Sequence, residues 1–305
     1  MRVIFMGTPD FAVPTLDALV EAGHEVVGVV ARPDKRHGRG RKLQSPPTIV
    51  RARELGLVTK QPRAIKRGPF PEWVESVEAD IAVVIAYGRI LTPRLLAAPR
   101  LGCVNVHASL LPKYRGAAPI HWAVINGEAR SGVTTMQMDV GLDTGDMLLT
   151  AETPIGPDET AGQLWDRLKV SGAALLVETL DRYGDITPTA QDHSASTHAP
   201  MLEKSHGRVD WTQPAAVVHN RIRGTNPWPG AHTTFRDQTL KLWTSTVASE
   251  GSGAPGTVLE CKKRLIVACG DGAVQLLSVQ RAGKRAQPGE VFAQGTRLQL
   301  GEVLG

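Results

Sequence analysis

MRVIFMGTPDFAVPTLDALVEAGHEVVGVVA, residues 1–31, decides the fold class. Val3–Met6 is an unbroken apolar run of strand length, as a strand covered on both faces requires. Gly7–Asp10 reads as a turn, with Asp10 placed to cap a helix. Phe11–Ala22 carries apolar residues at helical spacing, Gly23 ends it, and Val26–Val30 is a second strand. Strand, helix and strand in succession predict a parallel sheet with right-handed crossovers. The Gly7 turn lacks the second and third glycines of the dinucleotide fingerprint Gly-x-Gly-x-x-Gly. The expectation is therefore an α/β, Rossmann-like, mostly parallel sheet without a nicotinamide or flavin.

Beyond residue 31 the pattern alternates. Residues 32–46 are Gly-rich, Pro-bounded, strongly basic and without period, so they read as a loop; structureless loops of this length are often functional. Helices are expected at Pro47–Leu55, Phe70–Val77, Pro119–Asn126 and Thr160–Tyr183. Strands are expected at Asp80–Ala86, Cys103–His107 and Gly132–Met138. Composition changes near residue 185, where Thr187–Pro200 becomes rich in Thr, Ser, Ala, Pro and His. The domains are accordingly read as 1–188, a linker 189–204, and 205–305. After a helix at Ala215–Gly224, the last part offers five short strands, at Ala231–Phe235, Thr239–Trp243, Gly256–Cys261, Arg264–Cys269 and Ala273–Val279. That texture suggests a small barrel.

The chain of 305 residues, 42% hydrophobic and 21% charged, can bury a sizeable core, and no apolar run reaches membrane-spanning length. Met1 runs straight into the first core strand, so no leader is expected and the compartment is read as cytoplasmic. Three cysteines, Cys103, Cys261 and Cys269, fit neither a zinc pattern nor a disulfide framework. Cys103 is expected as a small buried side chain rather than a thiol nucleophile. Residues 32–67 hold twelve Lys/Arg against two acids, and 204–305 hold thirteen against seven; between them, 68–203 hold seventeen acids against nine Lys/Arg. Two basic zones around an acidic middle suit a polyanion gripped at two places.

The densest chemistry lies at 105–116. Asn105 and His107 are two apart, so on a strand they share one face, and they stand at the strand end where open α/β sheets place ligands. An amide donor and an imidazole aimed at one point suit a carbonyl that becomes an oxyanion; a hydrogen-bonded pair at a strand end fits the spacing equally. Asp139, Asp143 and Asp146 follow with two glycines among them. One acid could orient or charge His107, and turn-capping accounts for the cluster as well.

Three separated pieces, Asn105-x-His107, Ser109–Pro112 and Asp139–Asp146, occur in an order that resembles the folate-dependent formyltransferases. The stretches Phe5–Pro14, Gly38–Pro46, Gly116–Pro119 and Asn226–Pro229 make the chain most similar to the branch that acts on methionyl-tRNA. The resemblance implies a catalytic trio of Asn105, His107 and Asp143, and folate binding at Ser109, Leu110, Leu111 and Pro112. It implies 10-formyltetrahydrofolate as formyl donor, the α-amine of initiator methionyl-tRNA as acceptor, and no metal. It implies that Arg36, Arg39, Arg41 and Lys42 enter the acceptor stem, with Arg41 the first candidate for its wedge and Arg39 and Lys42 its rivals. It also implies a C-terminal OB-fold that holds the tRNA, and nothing demands more than a monomer. The alternative is a formyltransferase for an amino sugar nucleotide, which would share the trio but has no use for the basic loop. A glycinamide ribonucleotide enzyme needs no second domain, and a non-catalytic RNA-binding protein needs no trio.

Overall fold

A computed structural model describes residues 1–37 and 42–305. The chain forms two compact units. The first is built from Met1–Gly116, Gly132–Thr153 and Trp165–His198; the second from Ala117–Ser131, Pro154–Leu164 and Ala199–Gly305.

The first unit is organised by a seven-stranded sheet: β1 (Arg2–Gly7), β2 (Glu25–Val30), β3 (Thr59–Lys60), β4 (Ile81–Ile85), β5 (Cys103–His107), β6 (Arg130–Gln137) and β7 (Met147–Pro154), in the order β7-β6-β5-β4-β1-β2-β3. Neighbours from β3 to β5 are parallel, and β6 runs antiparallel to β5. The mostly parallel Rossmann-like expectation thus describes this unit. Val3, Ile4, Phe5 and Met6 are fully buried, which explains the absence of polar alternation in β1. Helices α1 (Val13–Glu21), α2 (Pro47–Glu54), α3 (Pro69–Ser76) and α4 (Pro93–Ala97) lie between successive strands. A side chain at Gly7 would meet Ala12 Cβ at 2.7 Å and the Ile85 carbonyl at 3.1 Å, so the turn leaving β1 needs glycine for close approach.

Two departures concern this unit. Residues 32–46 are not wholly irregular: Lys35–His37 pairs antiparallel with Lys42–Gln44, with Arg36 opposite Leu43. A backbone ladder holds this hairpin without burying a face, since Leu43 stays 68% exposed, and so no apolar alternation announced it. Arg36 and Lys42 lie on its two strands, whereas Arg39 and Arg41 fall outside the described residues. The edge strand β7 was not expected; it is half-exposed along its length and mixes Thr and Glu with Leu. The stretch read as a linker is tied down in part: Thr189 pairs with Met147 through both backbone bonds, and Thr197 accepts from the amides of Tyr114 and Arg115.

The second unit gathers α5 (Pro119–Ile125), α7 (Ala215–Gly224) and an antiparallel sheet. Its strands are β8 (Ala231–Phe235), β9 (Gln238–Val247), β10 (Val258–Glu260), β11 (Ile266–Ala268), β12 (Ala273–Arg281) and β13 (Gln287–Pro288). Their order is β8-β9-β12-β11-β10, with β13 on β12; no ladder closes β8 onto β10 among the described residues, so the sheet is antiparallel but not shown as a closed barrel. An unexpected helix, α8 (Gly289–Thr296), puts Phe292 into the core against Phe235 at 5.1 Å between ring centres. Trp211 is buried with its indole N–H on the Thr233 hydroxyl. Between the sequence segments of α5 and α7 runs α6 (Ala161–Asp181).

On α7, His219 and Arg223 are spaced four apart and both are buried. The His219 ring contacts the Ser245 hydroxyl and the Pro157 carbonyl at 2.9 and 3.0 Å, while Arg223 donates to the Gly156 and Glu159 carbonyls. Burial pushes the His219 imidazole below its ordinary value, and burial pushes that of His121 down to about 4. The unfolded chain therefore takes up these protons first. Stability is fully present above pH ~6.5 and declines as pH falls toward the folded values. His121 alone accounts for at most about 3 kcal/mol over that window. Urea unfolding at pH 7 and pH 5 is expected to show a lower midpoint at pH 5, with His121→Gln flattening the difference; equal pH sensitivity in that variant would remove His121 as the cause.

Candidate active site

β5 is an interior strand, with Asn105 opposite Val84 of β4 and Met136 of β6, and His107 opposite Thr134. Asn105 and His107 point to one face of it and are 9% and 6% exposed. Polar side chains this deep need partners. The His107 Nε2 stands 2.9 Å from the Tyr114 carbonyl; a carbonyl only accepts, so this nitrogen carries the hydrogen. Nδ1 then faces the Asp143 carboxylate, 3.6 Å from its Oδ2. That is too long for a hydrogen bond and close enough for a strong charge interaction when the imidazole is protonated. The Asn105 amide donates to Asp143 Oδ1 at 3.4 Å.

The loop after β6 decides which of the three acids reaches the histidine. Asp139 accepts from the Gly141 amide and the Thr144 hydroxyl at 2.9 and 2.7 Å, so its carboxylate closes the loop. Asp146 is exposed. A side chain at Gly145 would collide with the Gln137 carbonyl, so the loop turns back only with glycine there. Asp143 sits in the left-handed region at φ +53, and its Oδ2 accepts from the Gly116 amide at 2.8 Å. Gln191, 5% exposed, donates to the Asp143 and Gly145 carbonyls at 3.0 and 2.7 Å. Its own oxygen accepts twice from the Arg115 guanidinium. Gln191 and Tyr114 are the positioning residues that sequence reasoning missed: one lay in the stretch read as a linker, and the other acts through its backbone.

Ser109–Pro112 forms the turn that leaves β5. The Thr134 hydroxyl donates to the Ser109 carbonyl at 2.8 Å and accepts from the Leu111 amide at 3.3 Å, and the Ser109 hydroxyl donates to the Lys113 carbonyl at 2.6 Å. Ser109 and Leu111 are buried, Leu110 and Pro112 half-buried. Val140 and Leu142, on the Asp143 loop, are 73% and 53% exposed and give it an apolar margin. The Cys103 thiol is buried and pushed up to about 12 by desolvation, so it is no nucleophile at neutral pH. Among the described residues no group of three or more His, Cys, Asp or Glu could hold a metal ion, and no helix is long and apolar enough to cross a membrane.

The chain is similar to known proteins along its whole length. Residues 1–180 match the formyl transferase profile and residues 201–297 match that of the formyl transferase C-terminal domain. The chain belongs to the formyl transferase family. Along its full length it is similar to methionyl-tRNA formyltransferases: it is 50% identical to that of Solibacter usitatus, covering 100% of this chain and 99% of the relative. The Ruegeria pomeroyi protein of the same name is 48% identical over the whole of both chains. Solved structures share the fold at greater distance. A sugar 3N-formyl transferase, crystallised with dTDP and 5-N-formyl-THF, gives a TM-score of 0.70 at 18% identity over 93% of this chain and 99% of that one. HypX from Aquifex aeolicus with tetrahydrofolic acid gives 0.63 at 18% identity, over 98% of this chain and 48% of that one.

Proposed function

We propose that this protein moves the formyl group of 10-formyltetrahydrofolate onto the α-amine of initiator methionyl-tRNA. The observation that carries the reading is the 50% identity, from end to end, to a methionyl-tRNA formyltransferase. The chemistry follows from the trio. The neutral amine attacks the formyl carbon, forming a C–N bond and an oxyanion. The Asn105 amide and the Nδ1–H of the protonated His107 ring donate to that oxygen. Asp143 balances the imidazolium charge and passes the proton lost by the amine to N10 of the folate, directly or through water, as the C–N10 bond breaks. Tetrahydrofolate and the formylated ester leave. The Ser109–Pro112 turn and the apolar margin at Val140 and Leu142 suit a planar pterin. Arg36, Arg39, Arg41 and Lys42 are assigned to the acceptor stem, and the C-terminal sheet, read as an OB-type module, to the rest of the tRNA. The protein acts as a monomer in the cytoplasm on this reading.

The decisive assay supplies 10-formyltetrahydrofolate with initiator and elongator methionyl-tRNA side by side. Transfer to the initiator alone is expected; transfer to neither, with transfer to a nucleotide-linked amino sugar, would replace the reading with the alternative acceptor. The basic segment 32–46 carries a further expectation. Arg41→Ser should lower kcat/KM for methionyl-tRNA about tenfold and weaken its dependence on salt, because a cation that meets phosphate releases counterions. A small methionine ester should be formylated as before. Equal loss on the ester would move the loop's role to the chemistry.

A further inference from the structure

Thr8 follows β1, Arg32 follows β2 and Tyr87 follows β4, so the three meet at the carboxyl edge of the parallel sheet. The register pairs Met6 with Val30, Gly7 with Ile85, and Val84 with Asn105. At about 4.8 Å per strand, this edge begins one strand from the catalytic pair and ends three strands, or about 14 Å, away. The Thr8 hydroxyl donates to the Tyr87 carbonyl at 3.1 Å and accepts from the Arg32 amide at 3.3 Å, which joins the three strand ends at one oxygen.

Two donors on these residues lack acceptors among the described residues. The Arg32 guanidinium crosses Gly88, with Nη1 and Cδ 3.4 and 3.6 Å from where a side chain at 88 would begin. Among the described residues its Nε is buried without a partner, and so is the hydroxyl of Tyr87, a residue only 2% exposed. Buried polar groups are seldom left unpaired without reason. Arg32 can only donate and Tyr87 can donate, so the missing party is an acceptor. Arg89, two residues beyond Tyr87, adds a second cation, with Nη1 on the Arg63 carbonyl at 3.0 Å. Neither Arg32 nor Arg89 has a carboxylate partner among the described residues. The complement is an anionic oxygen. The chain runs from Arg32 through Pro33 and Asp34 into the strand pair that carries Lys35, Arg36 and Lys42.

We infer that Arg32 and Tyr87, with Arg89 beside them, form a subsite for a phosphodiester near the 3′ end of the RNA acceptor, between the basic hairpin and the catalytic pair. This rests on the methionyl-tRNA reading and adds a contact to it. The phosphate would accept from Arg32 Nε and from the Tyr87 hydroxyl, and so fix the distance from the esterified ribose to His107.

The test uses the full chain with Arg32→Gln and Tyr87→Phe, assayed on methionyl-tRNA and on 3′-methionyl-adenosine, which carries no phosphate. Arg32→Gln is expected to raise KM for methionyl-tRNA about tenfold and to flatten the plot of log kcat/KM against log salt by about 0.7, the share of one single-strand phosphate contact. KM for 10-formyltetrahydrofolate should stay within about twofold, and methionyl-adenosine should react as before. Tyr87→Phe, which keeps the packed ring, should move KM the same way by about threefold. The inference is overturned by equal losses on methionyl-adenosine, by an unchanged salt slope, or by a raised folate KM with tRNA unaffected. That last result would hand the donors to the carboxylates of the folate tail. Failure of the unaltered protein to formylate methionyl-tRNA would instead bring down the acceptor assignment itself.

Discussion

His107→Ala is expected to lower the turnover number for formyl transfer to methionyl-tRNA by about a hundredfold to a thousandfold, the usual cost of removing one donor to a developing oxyanion. The folate KM should move by less than about threefold, because the ring's assigned work begins only when the formyl oxygen becomes negative. The structure supports so large an effect because the ring is already oriented. Its Nε2 is held by the Tyr114 carbonyl at 2.9 Å and its other nitrogen faces Asp143 at 3.6 Å, so little reorganisation remains to be done during reaction. The substitution also removes a buried ring and its bond to the Tyr114 carbonyl, which should cost about 1 to 3 kcal/mol of stability. Single-turnover rates at saturating folate, with a parallel urea titration, separate the two effects. Turnover within a few-fold of the unaltered protein, with stability lost as expected, would reduce His107 to a structural residue. Asn105→Ala should lose turnover in the same direction. If both residues serve one oxyanion, the double variant should fall well short of the product of the two losses.

The parts of this molecule that were legible in its sequence are those that depend on neighbours along the chain. The βαβ opening, the helix at Ala215–Gly224 and the strand at Ala231–Phe235 follow from period and local turns, and the structure has them at those positions. The shared face of Asn105 and His107 follows from strand period alone. The choice among Asp139, Asp143 and Asp146 did not follow. Asp143 turns toward His107 because Asp139 is consumed by Gly141 and Thr144 and because Gln191, 48 positions further on, holds the Asp143 carbonyl. Only the family resemblance singled it out in advance. The paired strands Lys35–His37 and Lys42–Gln44 and the edge strand β7 were obscured for a related reason. Both are held by backbone pairing at exposed edges, where side-chain pattern carries little information about structure. Closure of the C-terminal sheet depends on which distant strands meet, and no local pattern specifies that.

Asp143→Asn should lower turnover by about a hundredfold or more while leaving the fold in place. Asp143 has φ +53, a conformation that asparagine tolerates better than nearly any other side chain except glycine's. The amide oxygen of Asn can still accept from the Gly116 amide, now bonded to Asp143 Oδ2 at 2.8 Å, so the 115–116 segment keeps its anchor. What disappears is the negative charge opposite His107 and the oxygen that could carry the amine's proton. Asp143→Ala loses the anchor and the charge together, and alanine in the left-handed region adds strain, so this variant should unfold at lower temperature than Asp143→Asn. The comparison is diagnostic. Similar turnover in the two variants, with different thermal midpoints, means that the charge carries the catalytic effect and the Gly116 bond the structural one. Turnover in Asp143→Asn close to that of the unaltered protein would mean that Asp143 serves only to hold Gly116. The proton of the attacking amine would then have to leave by a route that avoids this carboxylate.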